Sequence, residues 1–261
     1  MALPLLKLPF LAYEKVLLNF ELADIKEPHW VSTLKPVNNM KVAFDYVRDL
    51  LRLPITSYHI WNKEQNLFPQ WFGITKCDEL SMHLSHGFSN DELKHVLEKV
   101  EISKKLDLNL PRNLVFDCGF VQFSMDELRI NQASWITNET FLAMNCARIE
   151  LSGNGNLPIR DFVSRWLSSR NTRFESLKMA WYRERINWNE GFKTMKWNPA
   201  TRGRNFKLNN YYRLDCENGI DILRDDGLLA TVVEKYGGIH FVVWHKRFQP
   251  EADQLQLDYW F

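Results

Sequence analysis

Strand-like and helical segments alternate regularly in the middle of the chain. The strand-like segments at 126–130, 148–151 and 175–179 alternate apolar and polar residues, which is typical of strands with one buried face. The segments between them, 137–145 and 159–168, are predicted helices, and the second carries one apolar stripe. Because a helical connection lets the chain cross over and re-enter a sheet in the same direction, this alternation predicts parallel neighbouring strands.

The same unit extends over most of the chain. Pairs of residues two apart, apolar or aromatic, mark six predicted strands: Tyr58/Ile60, Leu80/Met82, Leu106/Leu108, Leu128/Ile130, Ile149/Leu151 and Leu177/Met179. Successive pairs are 21 to 28 residues apart, within the period of roughly 20–29 residues of leucine-rich repeats. The chain lacks the asparagine ladder of that consensus. The pattern therefore predicts a degenerate leucine-rich-repeat-like α/β solenoid with a parallel sheet in sequence order, with an ordinary open α/β sheet as the alternative.

Composition limits the classes of protein to consider. The net charge is +1, so overall charge directs the chain toward neither nucleic acid nor acidic membranes. The four cysteines show no paired C-x-x-C spacing, which argues against zinc and redox motifs. No run approaches the roughly 18–20 apolar residues of a membrane span. Pro4, Lys7 and Pro9 interrupt the apolar start, so we do not interpret it as a secretion signal. We expect an intracellular protein, cytoplasmic or nuclear.

The two ends of the chain differ from the repeat. Residues 1–37 contain a predicted helical run and then Pro28, which would break a helix. This segment is too short to form a core of its own, so it is expected to dock on the rest of the chain or on a partner. Residues 38–200 form the predicted repeat domain. Residues 201–261 predict an antiparallel β meander with turns at 225–227 and 236–238, which would cap the open end of a solenoid.

Two groups of motifs carry a family resemblance. The first group resembles the F-box, with Leu8-Pro9, Val16-Leu17, Asp24-Ile25 and Val31-Ser32 in that order. The second group, at 133–137, 145–151, 162–166 and 171–175, resembles the type 2 F-box associated domain of nematode F-box proteins in order and spacing.

This resemblance implies a substrate-recognition subunit of an SCF-type (Skp–cullin–F-box) ubiquitin ligase. The repeat domain would bind a target protein, and the first F-box helices would contact the Skp-type adaptor. The implied adaptor contacts are Leu8, Pro9, Val16, Leu17 and Ile25. Pro28 and the short segment after it interrupt the last F-box helix, so weak adaptor binding is expected. The alternative is a protein-binding scaffold that has lost its coupling to the ligase.

A row of polar residues is the candidate target-binding face. On each predicted strand, the residue between the apolar pair points away from the core. These residues are His59, Ser81, Asp107, Arg129, Glu150 and Lys178. In a solenoid they would line the concave recognition surface. The plain alternative is a solvated sheet face.

A basic stretch between residues 191 and 214 supports a second, less favoured hypothesis. Its basic residues are Lys193, Lys196, Arg202, Arg204, Lys207 and Arg213, with aromatic residues among them. Such interleaving is found in proteins that bind single-stranded nucleic acid. It is also typical of a connecting loop whose aromatic side chains pack and whose charges are solvated.

Motifs of catalysis and of metal binding are missing from the sequence. The chain has no G-x-S-x-G, P-loop or G-x-G-x-x-G motif. His83 and His86 lie three residues apart with no cluster of carboxylates or cysteines near them in sequence, so we interpret them as a solvated loop pair. We expect a protein that is not an enzyme and that needs neither a cofactor nor a metal.

Overall fold

A ten-stranded mixed sheet dominates the structure, a computed structural model. It describes residues 54–61, 68–84, 88–112, 114–180, 186–235 and 237–245, with five helical positions between 41 and 49. The sheet order is β1-β2-β3-β4-β5-β6-β12-β11-β10-β7, and β8 and β9 form a separate hairpin. The strands are β1 Ser57–Trp61, β2 Lys76–His83, β3 Glu101–Asn109, β4 Glu127–Asn131, β5 Arg148–Ser152, β6 Ser176–Ala180, β7 Thr194–Lys196, β8 Asn205–Lys207, β9 Arg213–Asp215, β10 Ile220–Leu223, β11 Leu229–Lys235 and β12 Gly238–Val243.

The first six strands are parallel and lie side by side in sequence order. This confirms the predicted order and direction. The apolar pairs lie in register across the sheet, and all their members except Tyr58 are buried. Because side chains alternate across a strand, this register places one apolar face in the core and leaves the intervening residues on the other face.

Within the described residues from 54 onward, three α-helices pack on the apolar face of the sheet: α1 Asn90–Lys99, α2 Asn138–Leu142 and α3 Ile159–Ser168. Their buried residues join the same core cluster as the strands. The capping box at the start of α1 forms as the sequence indicates, since Ser89 Oγ accepts from the Glu92 amide at 3.1 Å and Glu92 accepts from the Ser89 amide at 2.8 Å. Over β1–β6, the polar residues of the opposite face stay partly or fully exposed, except for buried Asp107 and Ser176.

The connection between β3 and β4 corrects the expectation that every crossover contains a helix. Among its described residues, 110–112 and 114–126, none is helical. Phe116, Cys118, Val121 and Phe123 are buried along an irregular, extended chain. These side chains, two or three residues apart, reach the core although the described part of this connection contains no helix. The connection between β4 and β5 supplies a hydrogen-bond partner for its backbone, since Thr140 Oγ1 accepts from the Val121 amide at 3.1 Å.

The connection between β1 and β2 holds only a 3₁₀ helix, Pro69–Phe72, within its described part. The helix after β4 is shorter than the predicted 137–145. The Asn145 amide donates instead to the Phe123 carbonyl at 2.9 Å. This tertiary hydrogen bond competes with continuation of the helix and gives the chain its turn into β5.

The antiparallel half of the sheet contains the predicted hairpin and meander. Strand β10 pairs with β11, β11 with β12, and β12 with β6. The meander therefore extends the sheet by backbone hydrogen bonds along the β6 edge. Strand β7 pairs with β10, so a strand that precedes residue 201 takes part in the same half of the sheet.

Candidate functional site

The six residues of the predicted target-binding face form a single row across the sheet. Each faces its neighbour in exact register, from His59 on β1 through Ser81, Asp107, Arg129 and Glu150 to Lys178 on β6. His240 on β12 continues the row beside Lys178. The structure thus brings all six together on the polar face, and it adds a seventh that the sequence analysis did not predict.

A second row, two residues earlier on β2 to β6, was missed by the sequence analysis. It consists of Glu79, Lys105, Glu127, Arg148 and Ser176, again in register. On β3, β4 and β5 the two rows carry opposite charges. The second row is positive on β3 and β5 and negative on β4, and the first row has the reverse signs. The period-two spacing alone would have found these positions, because residues i and i−2 share a face.

The alternating charges of the two rows form a network of ion pairs. Arg129 contacts Asp107 at 3.7 Å, Glu127 at 3.7 Å and Glu150 at 3.2 Å. Arg148 contacts Glu127 at 3.3 Å and Glu175 at 3.4 Å. Lys178 pairs with Glu150 at 2.5 Å, and Lys105 with Glu127 at 3.5 Å. Opposite charges that face each other across strands stabilise this register.

A third row at the carboxyl ends of the strands has a different character. Trp61 on β1 is exposed and stacks on His83 of β2, with ring centroids 4.2 Å apart. Asn109 and Asn131 continue the row on β3 and β4. His86, the other member of the histidine pair considered for metal binding, lies outside the described residues.

The β8–β9 hairpin covers the polar face at its antiparallel end. Phe206 and Leu214 pack with Cys216 against Val233 and Val242 of β11 and β12, in a second small core. Val242 pairs with Ser176 and therefore belongs to the face that carries the polar rows. The hairpin consequently forms a wall beside the ion-pair network.

A cleft lies between this wall and the sheet. Its volume is about 570 Å³, within the range of roughly 300–1,000 Å³ typical of ligand sites. Its floor carries Glu127, Arg129, Arg148, Glu150, Ser176 and Lys178, and its wall carries Leu208, Asn209, Asn210 and Tyr212. Three of the six predicted face residues (Arg129, Glu150 and Lys178) therefore line the cleft, whereas His59, Ser81 and Asp107 do not.

Two arginines of the basic stretch are engaged by carboxylates of this chain. Arg202 is buried and donates from Nε to both carboxylate oxygens of Asp221 at 2.9 Å. Arg204 pairs with Asp215 and Glu217 at 2.8 Å each. Its hydrogen bond lowers the pKa of Asp215 to about 2. Carboxylates distant in sequence thus engage the two arginines, which corrects their interpretation as free cations.

His240 is a buried histidine beside the cleft floor. Within the described part of the chain, its Nδ1 has no hydrogen-bond partner. Burial, together with nearby Lys178 and Lys235, lowers its pKa to about 4, and Glu150 opposes this shift. The imidazole is therefore neutral at physiological pH.

We expect His240 to make the folded protein sensitive to acid. Because its pKa is lower in the folded state than the ordinary 6.5, the unfolded chain takes up the proton first as pH falls. This costs up to about 3 kcal/mol of stability between about pH 6.5 and 4. Urea unfolding at pH 7 and pH 4.5 should show a smaller loss for His240→Gln than for the wild type. His59→Gln, at the exposed end of the row, is the control, and equal losses in wild type and His240→Gln would contradict the prediction.

The other predicted site residues lie elsewhere. The implied adaptor contacts Leu8, Pro9, Val16, Leu17 and Ile25 lie outside the described residues. Within the described ranges, no group of three or more His, Cys, Asp or Glu side chains is placed to hold a metal ion. No helix in the part of the chain that the structure describes is long and apolar enough to cross a membrane.

Parts of this chain are similar in sequence to a known protein family and to two nematode proteins. Residues 116–179 match the family model described as F-box associated. The chain is 29% identical over 196 residues to uncharacterized protein F59B2.9 of Caenorhabditis elegans and 31% identical over 144 residues to uncharacterized protein F59B2.8 of the same organism. These alignments cover 70% and 51% of this chain but 45% and 33% of the relatives. The chain therefore spans less than half the length of the curated relatives it matches.

No solved structure matches the chain. The matched region 116–179 runs from the irregular connection before β4 into β6, so it includes every charged residue of the cleft floor. The resemblance predicted from the second group of motifs is thereby confirmed: residues 116–179 are similar to the F-box associated family, and the relatives found are nematode proteins.

Proposed function

We propose that this chain is the substrate-recognition subunit of an SCF-type ubiquitin ligase and that it binds its target protein through the polar sheet face. One observation carries the proposal. The F-box associated match coincides with the strands that build the floor of the cleft. A role in substrate binding is what this family suggests, and a cleft beside an exposed sheet face suits a protein ligand.

The proposed roles are divided between two parts of the chain. The segment 1–37 holds the Skp-type adaptor, and β1–β6 act as a leucine-rich-repeat-like solenoid that presents one polar face. Among the described residues no helix packs on the polar face of β1–β6, which supports this reading over a doubly wound α/β fold, in which helices cover both faces. The protein supplies no catalytic group, because the other subunits of the ligase carry out the transfer of ubiquitin.

Adaptor binding tests the proposal. We expect weak but detectable binding of the full chain to a purified Skp-type adaptor, since the sequence keeps the apolar residues implied for the first part of the F-box and Pro28 interrupts the predicted last helix. Leu8→Asp with Leu17→Asp should abolish binding, because a charge buried without a partner costs several kcal/mol. A pull-down of the wild type beside the double variant is the measurement.

Lys104→Ala is the matched control for this pull-down, because Lys104 is exposed on β3, far along the chain from the F-box-like segment. Complete absence of adaptor binding by the wild type would favour a scaffold that has lost its coupling to the ligase. Tight binding that survives the double variant would contradict the assignment of the two leucines.

A further inference from the structure

We propose that the cleft between the β8–β9 hairpin and the sheet binds an extended, acidic segment of the target protein. Carboxylates of that segment would contact Arg148 and Lys178, and its other side chains would pack on Tyr211 and Tyr212. This inference rests on the proposed function only in that the bound partner is a protein.

The cations of the ion-pair network are more accessible than its carboxylates. The side chains of Arg129, Arg148 and Lys178 are each about 40% exposed. Those of Asp107 and Glu175 are 12% exposed and that of Glu127 is 24% exposed. Glu150, at 34%, is the most accessible of the four carboxylates. A molecule approaching the sheet therefore meets mainly positive charge, although the opposite charges balance within the network.

The two arginines of the floor also keep donors for a ligand. Arg129 and Arg148 contact their carboxylates at 3.2–3.7 Å, longer than the roughly 2.7–2.9 Å of a strong charge-assisted hydrogen bond. A guanidinium has five N–H donors and an ammonium has three. Lys178 is paired with Glu150 alone among the described ion pairs. An incoming carboxylate can therefore add hydrogen bonds without first displacing the resident ones.

The hairpin loop supplies an aromatic surface in a fixed position. Asn209 Oδ1 accepts from the backbone amides of Tyr211 at 2.9 Å and Tyr212 at 2.8 Å. The Leu208 amide also donates to the Tyr212 carbonyl at 3.1 Å. These bonds order the loop, yet the Tyr211 side chain is fully exposed and that of Tyr212 is half exposed. Exposed tyrosines on an ordered loop are common anchors of protein interfaces, since they give large contact area at low entropic cost.

Charge favours a protein segment over nucleic acid as the occupant. A nucleic-acid strand needs a continuous basic track, but Arg202 and Arg204, at the base of the hairpin, are engaged by Asp221, Asp215 and Glu217. The exposed cations of the basic stretch, Lys193, Lys196, Lys207 and Arg213, lie outside the cleft lining, and the cleft itself offers only Arg129, Arg148 and Lys178 beside two carboxylates. Such a short cationic site suits a few carboxylates flanked by side chains that pack on tyrosine.

The test is a selection of random peptides on the full-length chain. Phage-displayed peptides of about ten residues, roughly 33 Å when extended, are longer than the roughly 10 Å across three strands and therefore span the cleft. We expect the enriched peptides to be rich in Asp and Glu. Binding of synthetic copies, measured by fluorescence anisotropy, should weaken as salt is raised, because exposed charges are screened.

Three single variants test the site itself. Lys178→Ala leaves Glu150 paired with Arg129, and Arg148→Ala leaves Glu127 paired with Lys105 and Arg129, so Glu150 and Glu127 keep ion-pair partners. Tyr212→Ala removes the half-exposed tyrosine that lines the cleft. Each should weaken binding of an acidic peptide about tenfold. Lys104→Ala, which removes an exposed charge paired with Asp78 outside the cleft, should leave binding unchanged.

Several outcomes would overturn the inference. The first is that the selection enriches no peptides, and the second is that it enriches neutral or basic ones. The third is that the cleft variants bind an acidic peptide as tightly as Lys104→Ala does. A single-stranded oligonucleotide that competes at the same residues with equal affinity would assign the cleft to nucleic acid. Adaptor pull-down of the wild type separates the two proposals, because absence of adaptor binding would refute the ligase role while leaving the peptide result intact.

Discussion

Replacement of Asp221 with alanine is expected to destabilise the protein by about 3–5 kcal/mol, because it leaves the charge of Arg202 buried without its partner. Both side chains are 1% exposed, with Nη2 of Arg202 2.8 Å from Asp221 Oδ1. Thr231 Oγ1 donates to the same carboxylate oxygen at 2.6 Å, and Trp244 donates to Thr231 at 2.7 Å. The substitution therefore disrupts a connected buried network. Equilibrium unfolding in urea measures the loss.

Two further variants show whether the buried charge is the cause. Asp215→Ala removes one of the two surface partners of Arg204, and we expect little loss of stability because exposed ion pairs contribute little and Glu217 still pairs with Arg204. Arg202→Met combined with Asp221→Leu removes both charges and should recover much of the stability that Asp221→Ala loses. A loss for Asp221→Ala as small as that for Asp215→Ala would contradict the prediction.

Phe241→Ala is expected to cost about 3–5 kcal/mol, the range for removing a buried aromatic side chain. Phe241 lies on β12 and is fully buried. Its ring centroid is 5.2 Å from that of Trp166 on α3 and 5.8 Å from that of Phe174. The cavity would therefore open where the antiparallel half of the sheet meets the helical layer. Phe120→Ala, at an exposed aromatic residue, is the control and should change stability by about 0.5 kcal/mol or less.

Urea and thermal unfolding of both variants, followed by circular dichroism, are the measurements. If Phe241→Ala unfolds β12 separately from the rest, two transitions should replace one. A loss equal to that of Phe120→Ala would mean that β12 contributes little to the core.

The fold was largely predictable where the pattern is local. The apolar pairs indicated six strands, and their order followed because each crossover is long enough to return the chain in the same direction. The irregular stretch before β4 was not predictable in this way. Its buried residues, Phe116, Cys118, Val121 and Phe123, fit neither helical nor strict strand spacing, and its backbone depends on Thr140 and Asn145 from a later connection.

The candidate site was predictable in part. The row from His59 to Lys178 follows from alternation along each strand, and the row from Glu79 to Ser176 could have been found by the same rule. The wall of the cleft could not, because Phe206 and Leu214 give no local sign that they pack on Val233 and Val242. The burial of Arg202 and its ion pair were equally unpredictable, since its partner Asp221 is 19 residues away.

The sequence by itself determined which residues form β1–β6, which face of each of these strands is apolar, and where helix α1 begins. These features depend on the period of side chains along the backbone and on hydrogen bonds between residues three positions apart. Only the tertiary structure decided which charges meet on the polar face and which of them stay accessible. Ion pairing between strands depends on their register and burial depends on everything packed around a side chain, so Arg202 lies inside the protein whereas Lys178 faces the cleft.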